Sequence, residues 1–177
     1  MTTIKGGNNG NVADVTDRKA LKVDAVIESR LESASRDDEK AFVWSSTYAA
    51  TAADEIIYIA NTSVLDTLVI DSFTVGASAA CVFTLFEVTS GTAAGSTITA
   101  ENINLGASGT ASATSFGGAA VTGSLTGPVI RYAGVSAASE FDHVDLSGGV
   151  ILDQNSALAV TVSATATVYV NITGHYE

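Results

Sequence analysis

From Ala41 onward the chain is a succession of short runs of β-branched and aromatic residues separated by Gly, Ser, Asn and Asp. That texture predicts an antiparallel β-sandwich or barrel, with helix signals scarce. The candidate strands are Phe42–Trp44, Ile56–Ala60, Leu65–Val75, Ala80–Val88, Thr97–Leu105, Val129–Ala133, Val150–Asp153, Ala157–Ser163 and Thr167–Thr173. Alternation is cleanest near the end, where Leu158, Val160 and Val162 point one way and Ala159, Thr161 and Ser163 the other. A period of two means that one face is buried. Val168, Val170 and Ile172 repeat it against Tyr169, Asn171 and Thr173, which predicts a neighbouring strand of the same sheet, joined as a hairpin through Ala164-Thr165-Ala166. Residues 106–127 are mostly Gly, Ala, Ser and Thr, with Phe116, Val121 and Leu125 as the larger apolar groups. They read as a long loop or a weak edge hairpin, with a subunit-contact surface as the other reading.

The first forty residues follow another pattern. Leu21, Val23, Ala25 and Ile27 alternate with Lys22, Asp24 and Val26 as in a strand. Val23, Val26, Ile27, Arg30 and Leu31 also share one helical face, with Asp17 as a cap. The clustered β-branched residues and the preceding Gly6-Gly7-Asn8-Asn9-Gly10 favour an extended arm with one strand near 20–28. Too few apolar side chains occur in 1–40 to build a separate core. The expected organisation is an extended charged arm, 1–40, on a sandwich body, 41–177.

Charge sharpens this division. The first forty residues hold seven of the eight basic groups against eight acids, a net −1, whereas the remainder has Arg131 alone against eleven acids, a net −10. An overall −11 disfavours general nucleic-acid binding, which needs clustered Lys and Arg. Hydrophobic residues make up 46% and charged ones 15%, the balance of an ordered chain of 177 residues able to bury a core. With one cysteine, Cys81, no intrachain disulfide is available, so stability must come from packing or association. The polar, glycine-rich Met1–Asn11 is unlike a secretory signal, and the longest apolar runs fall far short of the roughly 20 residues of a membrane helix. The chain is expected to be soluble.

Candidate chemistry is sparse. His143 and His175 are the only histidines, and Asp142-His143 with Asp145 reads as a hydrated loop, not a metal or acid–base site. Asp37-Asp38-Glu39 does not follow the twelve-residue calcium-loop pattern. Cys81 lies in a run that reads as a buried strand, hence an inert thiol. Gly91-Thr-Ala-Ala-Gly95-Ser96 has no phosphate-binding lysine and reads as a turn, and neither a nucleophile elbow nor a dinucleotide fingerprint occurs. Asn61-Thr-Ser63 and Asn171-Ile-Thr173 match the glycosylation triplet without carrying an argument. Trp44, Tyr58, Tyr132, Tyr169 and Tyr176 read as core and subunit contacts before a sugar platform. The expectation is a non-enzyme with no cofactor and no metal.

The arm Ala13-Asp-Val-Thr-Asp17-Arg-Lys-Ala-Leu-Lys-Val-Asp-Ala25 and the turn Ser147-Gly-Gly-Val-Ile-Leu-Asp-Gln-Asn-Ser-Ala157-Leu-Ala-Val resemble virion structural proteins of tailed bacteriophages, most of all capsid decoration or cement proteins with a jelly-roll body. The resemblance covers the whole length and rests on texture, with no residue-level motif to carry over. It implies an all-β, jelly-roll-like antiparallel sandwich that is made in the host cytoplasm. It implies further that the protein sits as a homotrimer on the capsid exterior, bridging subunits of the major capsid protein, without nucleic-acid or membrane partners. The arm would clamp an adjacent molecule; the arm's own basic groups and its 20–28 alternation, not the resemblance, make Arg18, Lys19, Leu21, Lys22, Val23, Ala25, Ile27 and Arg30 the expected partner-binding residues. Two other classes share the β-rich, Ser/Thr/Gly-rich look: a tail, collar or head-fibre component that touches the host receptor, and a carbohydrate-binding module.

Overall fold

The computed structural model describes residues 4–5, 12–15, 21–22 and 39–177. Three short strands, β1 (Ile4–Lys5), β2 (Val12–Val15) and β3 (Leu21–Lys22), form a small antiparallel meander in the order β1-β2-β3. The body holds ten more: β4 (Ala41–Ala50), β5 (Glu55–Asn61), β6 (Leu68–Ala77), β7 (Cys81–Glu87), β8 (Glu101–Asn102), β9 (Ala113–Val121), β10 (Val129–Val135), β11 (Phe141–Leu152), β12 (Ala157–Val162) and β13 (Ala166–Tyr176).

These strands make two antiparallel five-stranded sheets, β10-β7-β12-β5-β9 and β11-β6-β13-β4-β8, called here the first and the second sheet. With β8 and β9 set aside, the remaining strands alternate between sheets except where β7 and β10 pair directly. The resulting orders, β5-β12-β7-β10 and β4-β13-β6-β11, are the two interleaved Greek keys of a jelly roll.

The core lies between the inner faces. Phe42 and Trp44 of β4, Phe73 of β6, Phe83 and Leu85 of β7, Leu158 and Val160 of β12 and Ile172 of β13 are all buried in one cluster. Phe42 leans on Trp44 at 6.2 Å between ring centroids and meets Tyr176 edge-on at 5.8 Å, the geometry that ring quadrupoles favour. Buried polar groups are used as ties. The Ser46 hydroxyl donates to the Ile56 carbonyl (2.7 Å) and accepts from the Gly118 amide (2.9 Å), joining the two sheets where β4 and β9 approach. A side chain at Gly117 would come within 3.0 Å of that hydroxyl, so β9 has to be small there.

The outer faces differ. That of the first sheet is roofed in part by the chain between β7 and β10, through bridges Ser90 to Thr126, Ala94 to Thr122 and Thr97 to Phe116, with Val82 and Tyr132 left exposed. Under the roof Phe86, Val121, Leu125 and Ala159 form a second buried cluster, and Tyr58 stacks on Phe116 at 5.8 Å. The roof turns at Gly123, whose φ of +135° and whose closeness to the Thr92 carbonyl admit no side chain. Among the described residues, the outer face of the second sheet has no such cover.

Several sequence expectations are corrected. Of the two readings of residues 106–127, the long loop gives way to the edge one in part, because β9 occupies Ala113–Val121 as the edge strand beside β5. Of Thr97–Leu105 only Glu101–Asn102 is strand. Asp142, His143 and Asp145 sit in β11, which starts at Phe141 instead of Val150. β12 and β13 are not a hairpin: β12 lies between β5 and β7, and β13 between β4 and β6 in the opposite sheet. Their alternation reports a buried face, and both sheets bury a face against the same core.

Phe73 is the test residue for this core, being fully buried in a central position of the second sheet. Phe73→Ala is expected to cost about 3–5 kcal/mol in urea unfolding, the range for an aromatic deletion that leaves a cavity.

Candidate functional site at the end where the arm joins the body

Strand direction brings four segments together at one end of the sandwich: the entry to β4 at Glu39 and Lys40, the β5–β6 connection, residues 103–112, and the exit of β13. The entry to β4 is fastened three ways. The Lys40 ammonium reaches Asp66 Oδ1 at 2.8 Å, the Lys40 carbonyl accepts from the Tyr176 amide at 3.1 Å, and the Glu39 carbonyl accepts from Asn102 Nδ2 at 2.6 Å. The lysine holds the Asp66 carboxyl below the usual range. Thr67 and Glu177 exchange both backbone hydrogen bonds, at 3.1 and 3.0 Å, so the β5–β6 connection is sewn to the exit of β13.

Asn61 stiffens the same connection from within. Buried at the end of β5, it donates to the carbonyls of Asp66 (3.0 Å) and Leu152 (2.9 Å) and accepts from the Ser63 amide (2.9 Å). A side chain so occupied cannot carry a glycan in the folded protein, which removes the first of the two glycosylation triplets. On this scaffold Val64 and Leu65 stand 74% and 89% exposed, and Leu105 on the adjacent segment 92% exposed. Large aliphatic groups held open to water on a pinned loop are offered for contact, since their burial is what would be favourable. A recess of about 200 Å³ opens among Lys40, Phe42, Asp66, Ser112 and Tyr176 beside them.

His175 sits just behind this end. It is buried on β13, with Nδ1 at 2.8 Å from Asp71 Oδ2 and Nε2 at 3.4 Å from Glu177 Oε1. Asp71 occupies the register shift at which Thr173 pairs with Ser72 but Gly174 with Ile70, a bulge that turns its carboxylate onto the imidazole. The Asp71 hydrogen bond raises the histidine pKa above its ordinary value against the opposing effect of burial. The two carboxylates occupy opposite ring nitrogens and cannot converge on one ion. Among the described residues, no group of three or more His, Cys, Asp or Glu side chains is placed to hold a metal.

At the other end Cys81, Val82, Gly134, Val135 and Ser163 line a shallow groove of about 510 Å³. Burial pushes the Cys81 thiol up, away from the thiolate form that a nucleophile needs. Asp142 and His143 point to opposite faces of β11: the former accepts from the Gly134 amide at 3.0 Å and the latter pairs with Thr74 Oγ1 at 2.8 Å.

Of the partner-binding residues expected from sequence, Leu21 and Lys22 form β3, opposite Val15 and Asp14 of β2. Arg18, Lys19, Val23, Ala25, Ile27 and Arg30 lie outside the described residues. Sequence reasoning missed Val64, Leu65 and Leu105, having absorbed Leu65 and Leu105 into strands. The available signal was their isolation: each aliphatic group stands among turn-forming Ser, Asp, Asn and Gly. No family model matches the chain, and neither the curated proteins nor the solved structures contain a match.

The raised His175 pKa has a definite sign. Its stabilising contribution is complete below the unfolded value of about 6.5 and is lost as pH rises through the higher folded value. The melting temperature of the wild type should therefore exceed that of His175→Gln by more at about pH 6 than at about pH 9. An equal gap at both values, read by calorimetry, would remove the charged pair from the account.

Proposed function

We propose that this chain is a virion structural protein that binds the outer capsid of a tailed bacteriophage and stabilises contacts between coat subunits, acting as a decoration or cement protein. It does so as a homotrimer, with the arm reaching the coat protein and sister subunits. One observation carries this reading: the polypeptide that holds seven of the eight basic residues joins the body at the end where Val64, Leu65 and Leu105 are exposed on a pinned scaffold.

Magnitudes favour that division of labour. Each exposed ion pair of the arm contributes at most about 1 kcal/mol. Covering one of the exposed aliphatic side chains contributes about 1.5–3 kcal/mol. Apolar contact at the end and many weak charge and backbone contacts along the arm then add across the subunits of an oligomer, where linked binding raises avidity without any single strong contact. The remainder of the body, with its net charge of −10, stays soluble and repels nucleic acid.

The test is occupancy on particles that lack the protein. Leu65→Asp with Leu105→Asp, and separately Arg18→Glu with Lys19→Glu and Lys22→Glu, should each lower the bound copy number at least about tenfold, the equivalent of about 1.4 kcal/mol, with unchanged far-UV circular dichroism. Full occupancy by both variants would reject the reading. Sedimentation of the wild type should give a trimer, and a monomer both in solution and on the particle would reject the oligomeric part.

A further inference from the structure

We infer that the open outer face of the second sheet carries a binding site for a neutral saccharide, centred on Phe141 and Tyr169. The inference is independent of where the protein is attached.

The site is built by register. Phe141 of β11 and Tyr169 of β13 both pair with Gly76 of the intervening β6, so the two aromatic side chains flank a strand position that has no side chain. A Cβ at Gly76 would lie 2.5 Å from the Phe141 ring, which shows that the ring rests over the glycine. The rings face each other at 6.1 Å between centroids and 48° between planes, making an open V. Phe141 is 66% and Tyr169 42% exposed. Two large aromatic side chains side by side on a solvent-facing sheet are a cost unless something covers them.

The chemistry of the surroundings selects the occupant. On the same face, Thr47 of β4 pairs with Tyr169, and one row further along lie His143, Thr74, Asn171 and Ser45 in register across the four strands. His143, Asn171, Ser45 and Thr47 are exposed. The two rows thus present aromatic faces beside hydroxyl, amide and imidazole groups, with no carboxylate, lysine or arginine in either. On a body of net charge −10 the two rows are neutral, with Glu140 beside Phe141 and Asp145 beyond His143 at their β11 edge. An anionic ligand would find no cation in either row, and the carboxylates at the edge would repel it. A pyranose fits both halves of the patch: its C–H face is attracted to the negative π face of an aromatic ring, and its hydroxyls exchange hydrogen bonds with neutral donors and acceptors.

Placement supports a role for the site. Tyr169 precedes His175 on β13 by six residues, which at about 3.3 Å per residue puts the platform about 20 Å from the end where Lys40 is fastened. The two can be occupied at once. On the first sheet the chain between β7 and β10 covers the Tyr58 and Phe116 pair, whereas Phe141 and Tyr169 lie open.

The experiment uses the full chain and three neutral hexasaccharides, maltohexaose, cellohexaose and chitohexaose, titrated by calorimetry and by amide chemical shifts. At least one should bind with a Kd between about 10 μM and about 5 mM, the range for a small open site. Shifts should be largest at Gly76, Phe141, His143, Tyr169 and Asn171. Phe141→Ala and Tyr169→Ala, both exposed and so compatible with folding, should each weaken binding at least about tenfold. Gly76→Ala, which displaces the Phe141 ring, should do the same with an unchanged circular dichroism spectrum. Absence of binding to all three sugars at about 10 mM would overturn the inference, as would binding that the aromatic variants leave unaltered. Conversion of the native oligomer to monomer by the double alanine variant would also overturn it, by assigning the face to self-association.

Discussion

The seam between β4 and β13 holds the rest of the molecule in place. These strands run antiparallel from Ala50 opposite Ala166 to Ala41 opposite His175, so the first body strand is bonded along its length to the last. Phe42 and Trp44 on one side and Tyr176 on the other carry the largest rings of the core across it. With a single cysteine in the chain, no covalent link backs up this pairing. Burial of the seam has to outweigh the entropy of closing a very long loop, which grows only slowly with length, and the rest of the packed core does the remainder. The seam also fixes the site geometry, since it brings Lys40, Asp66 and the exit of β13 to one end.

Two asymmetries follow from how the chain spends its middle third. Between β7 and β10 it leaves the jelly-roll path, adds β8 and β9 to opposite sheets, and folds back over the first sheet to bury Phe86, Val121 and Leu125. Part of the first sheet is therefore covered on both faces, while among the described residues nothing lies over the outer face of the second. The ends differ as well: one fastens the chain that leads to the basic residues and exposes aliphatic groups, and the other holds tight turns, a shallow groove and an aromatic pair.

Much of the fold was legible because alternation survives wherever one side of a strand meets the core, as at Leu158-Val160-Val162 and Val168-Val170-Ile172. Sheet membership was not legible, since two facing sheets produce the same alternation toward a shared core. β9 was legible only as a loop or a weak edge hairpin, because its small residues, Gly117 among them, are required by the close approach to Ser46 and resemble loop composition. The first half of β11 was missed for a different reason. Its outer residues His143 and Asp145 are polar, and the register shift between Asp145 and Val150 interrupts the period. The aromatic pair was visible only as scattered residues. Phe141 and Tyr169 lie 28 positions apart in sequence, and the strand register through Gly76 is what makes them neighbours.

The jelly-roll order has a consequence for how the protein is made. β12 and β13, the last strands of the sandwich in chain order, fill the centre of each sheet: β12 between β5 and β7, β13 between β4 and β6. A nascent chain that has reached Asn155 holds each sheet as two separated pieces, with its core aromatics facing an empty slot. Local pairs such as β7 with β10 can form on the ribosome, but the sandwich cannot close until Tyr176 has left the exit tunnel. A molecule cut before β12 keeps the segment rich in basic residues but has no closed sandwich to carry it.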